Sequence, residues 1–400
     1  MKTIKNLKNK IFFPKTLHQQ QQQEYSKSVS DELENELYKP IVESKISNLD
    51  WNQAIHIEKC DQKLNCLVVT FVEEVMVQKQ IGSSGGSSGS SSGKSSPPPV
   101  YQMVKQQQYY KVLLKTSPSS QQIAQTVYVN VLESILKLPI PEMRLLEYSN
   151  PEYEAMSNQI LKLSSNNNTL FNYIKKELKK LYLLVMAYRP GAKTLEQLNF
   201  KEYFSSSNNG DKKYMQLGQL IAFDMFCNNW DRFPLIWESQ GNFSNILFYD
   251  QPEAGQEWYF SLMDSNITYI NNSSFTVGHH RYINRIKSLF FSLYSNPNIE
   301  TRQVRRLREH MSKHYKVNIP ESSGILLQYG IIQGIQRIVN NLTSNILKET
   351  KEKVKSMVKY ENENIWKKGI DGIYLPFLYD IFDKYDEFEL SQINKKYLNI

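Results

Sequence analysis

The stretch Leu217–Asp250, LGQLIAFDMFCNNWDRFPLIWESQGNFSNILFYD, and its continuation Trp258–Ile270, WYFSLMDSNITYI, decide the fold. Leu217, Leu220, Ile221, Asp224, Met225 and Asn228 recur on one side at helical spacing, so a helix over Lys212–Asn229 delivers Asn229, Asp231 and Arg232 to a single place. Asp224 on that side reads as a structural cap or a buried partner for Arg232 rather than a catalytic group. A Gly-Asn turn (Gly241, Asn242) then carries Asn245 into a strand-like run, Ile246 to Tyr249. A second strand-like run, Trp258 to Met263, ends at Asp264. Carboxylate, amide and carboxylate thus stand in order, each at the edge of an apolar element. Phosphoryl transfer needs such a set: an Asp to accept a hydroxyl proton, and an Asn and a further Asp to hold the magnesium ions that bridge the phosphates.

The spacing is not that of ordinary protein kinases. In H-R-D-L-x-x-x-N the Asn follows closely, whereas Asn245 lies fourteen residues after Asp231. The pattern N-x-D-R-x-P…W…G-N-x-x-N…D instead resembles the actin-fragmin kinase catalytic domain family. Asn229, Asp231, Arg232, Pro234, Trp237, Gly241, Asn242, Asn245 and Asp264 carry the resemblance. It runs over roughly residues 100 to 290 and is densest at 217–270. It implies an α+β, bilobal protein-kinase-like fold, related also to phosphoinositide kinases. The N-lobe would be a small antiparallel sheet with one helix, the C-lobe larger and mostly helical. It implies serine/threonine phosphorylation from ATP, with actin complexed to the capping protein fragmin as acceptor. On that resemblance Asp231 is the catalytic base and Arg232 holds the loop or its Asp in place. Asn245 and Asp264 bind magnesium, and Asn242 shapes the turn.

Upstream, Leu67–Val77 is rich in β-branched residues and reads as a strand. Residues 82–99 form a Gly/Ser run closed by three prolines, unable to hold a packed element. Gly89 to Ser95 falls one residue short of a P-loop, and Pro97–Pro99 stand where its helix would start, so that reading fails. The run is either an expanded phosphate-covering loop or a flexible insertion. Strands are expected at Val100–Val104 and Tyr109–Leu114, the second closing on Lys115. A polar turn and a helix, Gln121–Leu138, follow. Strand, Lys, turn, helix is where a kinase places the Lys of the α- and β-phosphates. The family's Glu partner is missing: Thr126 stands there beside Gln125, which can bond Lys115 without neutralising it. Glu133 lies two turns further on, out of place for that role. Pro139-Ile140-Pro141 ends the helix. Met143–Tyr148 and Leu181–Ala187 read as strands, and Arg189-Pro190-Gly191 breaks the second. By resemblance the adenine ring lies against the backbone of Met186, Ala187 and Tyr188. The expected organisation is a tail over 1–48, an N-lobe over 49–187 with the insertion 82–99, and a C-lobe over 188–400.

The rest of the chain bounds the reading. Its composition, 40% hydrophobic and 12% aromatic over 400 residues, is ample for a two-lobed core. Cys60, Cys66 and Cys227 make an odd count without metal-ligand spacing, which argues for a reducing compartment. No apolar run approaches the ~18 residues of a membrane span. The first 23 residues carry five Lys and no acid but no Arg, and read as a solvated tail. A cytoplasmic monomer is expected. Net charge is +8, and nine Lys or Arg fall between Arg281 and Lys316 against Glu300 and Glu309. No nucleic-acid signature accompanies that stripe; it is either a charged solvent face or a dock for an acidic partner surface such as actin's. His310 and His314 are one helical turn apart, but nothing completes a metal set. Helices are expected near Arg281–Ser295, Thr301–Lys316, Ser322–Tyr360 and Leu375–Lys384. Two other readings stand beside the leading one: a phosphoinositide-type lipid kinase, and a pseudokinase that acts by binding alone.

Overall fold

The computed structural model describes residues 46–60, 66–81, 100–237, 239, 241–252, 257–268, 270, 277–316, 318–358 and 362–398. Nearly all of the tail expected over 1–48 and the Gly/Ser/Pro run 82–99 lie outside them. In chain order the elements are β1 (Ala54–Lys59), β2 (Cys66–Ile81), β3 (Val100–Lys115), α1 (Ser120–Ile135), β4 (Met143–Glu147), α2 (Pro151–Ser164), α3 (Asn168–Glu177), β5 (Tyr182–Ala187), α4 (Phe200–Tyr203) and α5 (Gly210–Cys227). They continue with β6 (Ile246–Phe248), β7 (Phe260–Leu262), α6 (Val277–Ser295), α7 (Arg302–Tyr315), α8 (Glu321–Asn341), α9 (Ser344–Lys355), α10 (Glu363–Asp371) and α11 (Leu375–Leu398). The fold is α+β, as expected, and divides into two compact units. One is Asn48–Thr116 with Met143–Arg189; the other joins Ser117–Glu142 to Pro190–Ile400.

The first unit is a five-stranded antiparallel sheet in the order β1-β2-β3-β5-β4. Leu67 to Val69 are buried on both sides of the strand, as a continuous apolar run requires. Trp51 seals the β1 end, edge-on to Phe71 with centroids 5.3 Å apart and its Nε1 donating to Glu152 of α2 at 2.8 Å. Arg144 of β4 clamps the same carboxylate. Where two strands were expected over 100–114, β3 is continuous. The polar KQQQ segment interrupts the apolar pattern but not the ladder. It pairs with Glu73–Met76 as an exposed two-stranded ribbon that needs no buried face, with Lys105 and Glu74 2.9 Å apart.

The second unit is mainly helical. α5 is buried almost all round from Gln216 to Cys227 and runs against α8. Their contact is unusually close: a Cβ on Gly330 would lie 2.0 Å from the carbonyl oxygen of Met215. We expect Gly330→Ala to cost roughly 1–3 kcal/mol through overpacking, lowering the melting temperature by several degrees in calorimetry; an unchanged transition contradicts this packing. The helix expected over Ser322–Tyr360 is two, because buried Leu342 turns extended and Thr343 caps a fresh N-terminus by accepting from the Ile346 amide. α1 belongs with this unit rather than with the sheet, although it was expected within the 49–187 lobe. Its Tyr128 hydroxyl donates to Leu347 of α9 at 3.1 Å, and its Ala124 packs on Gly369 of α10.

Candidate functional site

The end of α5 builds half of the site. Asn228 takes the left-handed conformation (φ 51°) that closes the helix. Its amide donates to the Thr268 carbonyl at 2.7 Å and its Oδ1 accepts from Trp237 Nε1 at 2.9 Å. Asn229 Nδ2 and Arg232 Nη1 both donate to Asp224 Oδ1, at 2.9 and 2.6 Å. Asp224 is therefore the buried partner of Arg232. Burial, the largest influence, pushes its carboxyl up to about 6, against the opposing pull of Arg232.

Arg232 was expected among the catalytic residues. Its side chain is 0% exposed and turned to buried partners. Its Nη2 donates to the Met263 carbonyl at 3.2 Å and to Ser265 Oγ at 3.1 Å, the neighbours of Asp264 on either side. Ser265 Oγ in turn donates to buried Glu133 of α1. Between these two anchored, buried residues Asp264 stands exposed at φ 54°. That backbone region costs a non-glycine residue roughly 1–3 kcal/mol, and the Arg232 clamp holds it there.

The turn after Gly241 builds the other half. Gly241 has φ 69°, and a Cβ there would lie 2.9 Å from the Arg232 carbonyl oxygen, so both conformation and space require glycine. Asn242 Oδ1 accepts from the Ser244 amide at 3.2 Å, shaping the turn. The Asn245 carbonyl accepts from the Met263 amide at 2.8 Å, tying the start of β6 to the residue before Asp264. Asn245 Nδ2 donates to Asp231 Oδ2 at 2.7 Å. Asp231 is half-buried, and its carboxyl is raised from the usual carboxylate range, first by burial and then by the negative charge of Asp264. The Asn245 bond pulls it back down.

Asp231, Asn245 and Asp264 are thus brought together. Among the described residues no three His, Cys, Asp or Glu side chains cluster to hold a metal. The candidate metal set is the Asp264 carboxylate and the Asn245 amide oxygen, hard oxygen donors that suit magnesium. The repulsion raising Asp231 is what a divalent cation beside Asp264 relieves, so the residues present fit such an ion. The remaining expected residues are distributed differently. Lys115 ends β3, buried and in register with Cys66 and Leu184. Met186 and Ala187 end β5, and the Tyr188 ring lies under Lys111 Nζ at 5.5 Å; all of these belong to the sheet unit. Gln125 is buried on α1. His310 and His314 stack with centroids 5.9 Å apart, without a third ligand among the described residues.

Sequence reasoning does not find Ser265, and it places Asn228 only on a helix side and Glu133 only as an ill-placed partner for Lys115. An Asn just past an apolar helix is a recognisable αL stop, so Asn228 carried a signal. Glu133 and Ser265 meet across 132 residues of chain, and no local pattern announces that.

A family model described as actin-fragmin kinase, catalytic, matches residues 28–335. The chain belongs to the actin-fragmin kinase catalytic family. Among its relatives are three Dictyostelium discoideum proteins, each named "Putative actin-fragmin kinase". The first is 55% identical over 276 residues, covering 68% of this chain and 65% of the relative. The second is 49% identical over 277 residues, covering 68% and 62%. The third is 39% identical over 358 residues, covering 89% and 78%. The chain spans just under two thirds of the length of the first two. Among the described residues no helix is long and apolar enough to cross a membrane.

Proposed function

We propose that this member of the actin-fragmin kinase family transfers the γ-phosphate of ATP to a serine or threonine hydroxyl of a protein, with actin, free or complexed with fragmin, as the acceptor. The observation that carries the reading is the Asn245–Asp231 bond at 2.7 Å beside the charge of Asp264. Asp231 accepts the acceptor's hydroxyl proton, and the Asn245 amide fixes the carboxylate that does so. Asn245 Oδ1 and the exposed Asp264 carboxylate would hold magnesium, which would supply charge neutralisation for the transferring phosphoryl group. Arg232 and Glu133 act at one remove by fixing the loop on which Asp264 is presented. Roles for Lys115, Gln125 and the Met186–Tyr188 backbone in holding ATP rest on the sequence resemblance.

Titration calorimetry of ATP with and without magnesium tests the metal assignment. Asp264→Ala is expected to remove the magnesium-dependent part of the affinity while the fold, followed by circular dichroism, is retained. Undiminished magnesium-dependent binding in that variant contradicts the role of Asp264.

A further inference from the structure

The β1–β2 hairpin sets two cysteines opposite one another. Lys59 of β1 pairs with Leu67 of β2, so one step further along Cys60 stands across from Cys66. The Cys60 amide donates to the Cys66 carbonyl at 2.9 Å, which extends the ladder by that pair. Residues opposed in this hydrogen-bonded way have Cα atoms about 5.5 Å apart and side chains on the same face of the sheet. That separation falls inside the range of roughly 4.4–6.8 Å that a disulfide spans. Both residues are thiols here. Cys66 is 2% exposed and Cys60 is partly exposed, so Cys60 is the one open to a small molecule.

The same row of the sheet runs on to Lys115. Cys66 pairs with Lys115 of β3, and Lys115 with Leu184 of β5. A strand residue whose backbone bonds one neighbour meets the other as a non-hydrogen-bonded pair, with the side chains closer. Because Cys66 bonds Cys60, Lys115 is that closer neighbour. A disulfide needs Cβ atoms about 3.5–4.5 Å apart, whereas opposed strand residues hold theirs at about 4.5–5.5 Å. Bridging the two cysteines therefore draws Cys66 towards β1 and away from Lys115.

We propose that Cys60 and Cys66 form a reversible thiol–disulfide site that takes a small disulfide of the glutathione type. We assign to the bridge a weakening of nucleotide binding at Lys115, and this second part rests on the phosphoryl-transfer reading. In the first step the Cys60 thiolate attacks one sulfur of glutathione disulfide, forming a mixed disulfide and releasing one glutathione thiolate. In the second the Cys66 thiolate attacks the Cys60 sulfur, forming the Cys60–Cys66 bond and releasing the other. Each cysteine gives up one proton and one electron, and glutathione disulfide takes them up to become two thiols. An excess of reduced thiol reverses both steps. Cys66, shielded from solvent, is suited to the second step because its opposite neighbour is the modified residue.

The test uses the full chain, reduced, freed of reductant, incubated with glutathione disulfide and quenched with N-ethylmaleimide before tryptic digestion and mass spectrometry. Trypsin cuts after Lys63, between the two cysteines, so the bridge appears as two linked peptides. Linked Cys60 and Cys66 peptides are expected from the parent and are expected to separate on adding dithiothreitol. Cys227, 0% exposed at the end of α5, is expected in neither a link nor an adduct. In Cys66→Ala the glutathione adduct is expected to persist on Cys60; in Cys60→Ser, Cys66 is expected to stay unmodified. Both variants are checked for an unchanged thermal transition. A parent that keeps glutathione on Cys60 without the link, or is modified at neither cysteine, overturns the proposal. Titration calorimetry then compares magnesium–ATP binding by the linked and the reduced chain. The linked chain is expected to bind about tenfold more weakly, as loss of one hydrogen bond to a charged group provides. Cys60→Ser is expected to bind equally before and after the disulfide treatment. Equal affinity of the linked and reduced parent overturns the second part of the proposal. A reduced chain that binds no ATP defeats the functional reading instead, while the linked peptides still decide the thiol chemistry.

Discussion

Asp224→Ala is expected to lower the unfolding free energy by about 3–5 kcal/mol, the usual cost of removing one member of a buried ion pair. The physical basis is the burial of both partners, 0% and 1% exposed, and the guanidinium left without its carboxylate. Denaturant unfolding measures this directly. The double variant Asp224→Leu/Arg232→Met regains most of the lost stability, since apolar pairs of similar volume replace buried ion pairs with little loss. It does not regain activity, because Arg232 also holds Met263 and Ser265 around Asp264. A double variant as active as the parent would show that the Arg232 clamp is structural only.

The second large effect falls on rate. Asp231→Asn is expected to lower kcat by roughly 10²–10⁴-fold, the usual contribution of a positioned general base, while ATP affinity stays near that of the parent. The carboxylate accepts the proton only when ionised, and burial and Asp264 raise it above the ordinary carboxylate range. The acid limb of kcat/KM for the nucleotide is therefore expected above that range, with activity lost as pH falls through it and restored as pH rises. Unchanged turnover in Asp231→Asn, or an acid limb at the ordinary carboxylate value, would remove Asp231 from this role.

How far the chain could be read from its sequence follows from which forces are local. Asp231, Asn245 and Asp264 stand at the ends of apolar runs, and ends of runs are visible without a structure. The Asp224–Arg232 pair was equally legible, because a carboxylate on the buried side of a helix needs a nearby cation. The burial of Arg232 was not: its partners are residues 224, 263 and 265, gathered by the β6–β7 pairing. Helices α2 and α3 pass unnoticed in an Asn-rich stretch, although Asn150-Pro151-Glu152 is a good start signal, with Asn150 accepting from the Glu152 amide. β1, too, has only two buried positions in six, Ala54 and Ile57, too few to mark a strand. Within the basic stripe, Arg305 and Arg308 donate to buried Glu300, a pairing that charge counting does not reveal.

Phosphoryl transfer to a protein by Asp231, Asn245 and Asp264 stands or falls on one assay. Labelled γ-phosphate of ATP, with magnesium, is offered to actin, the actin–fragmin complex and a phosphoinositide mixture side by side, with Asp264→Ala as control. Label is expected on serine or threonine of the protein acceptor, and none with the control. Label confined to the lipid, or equal labelling by Asp264→Ala, would contradict the proposed reaction.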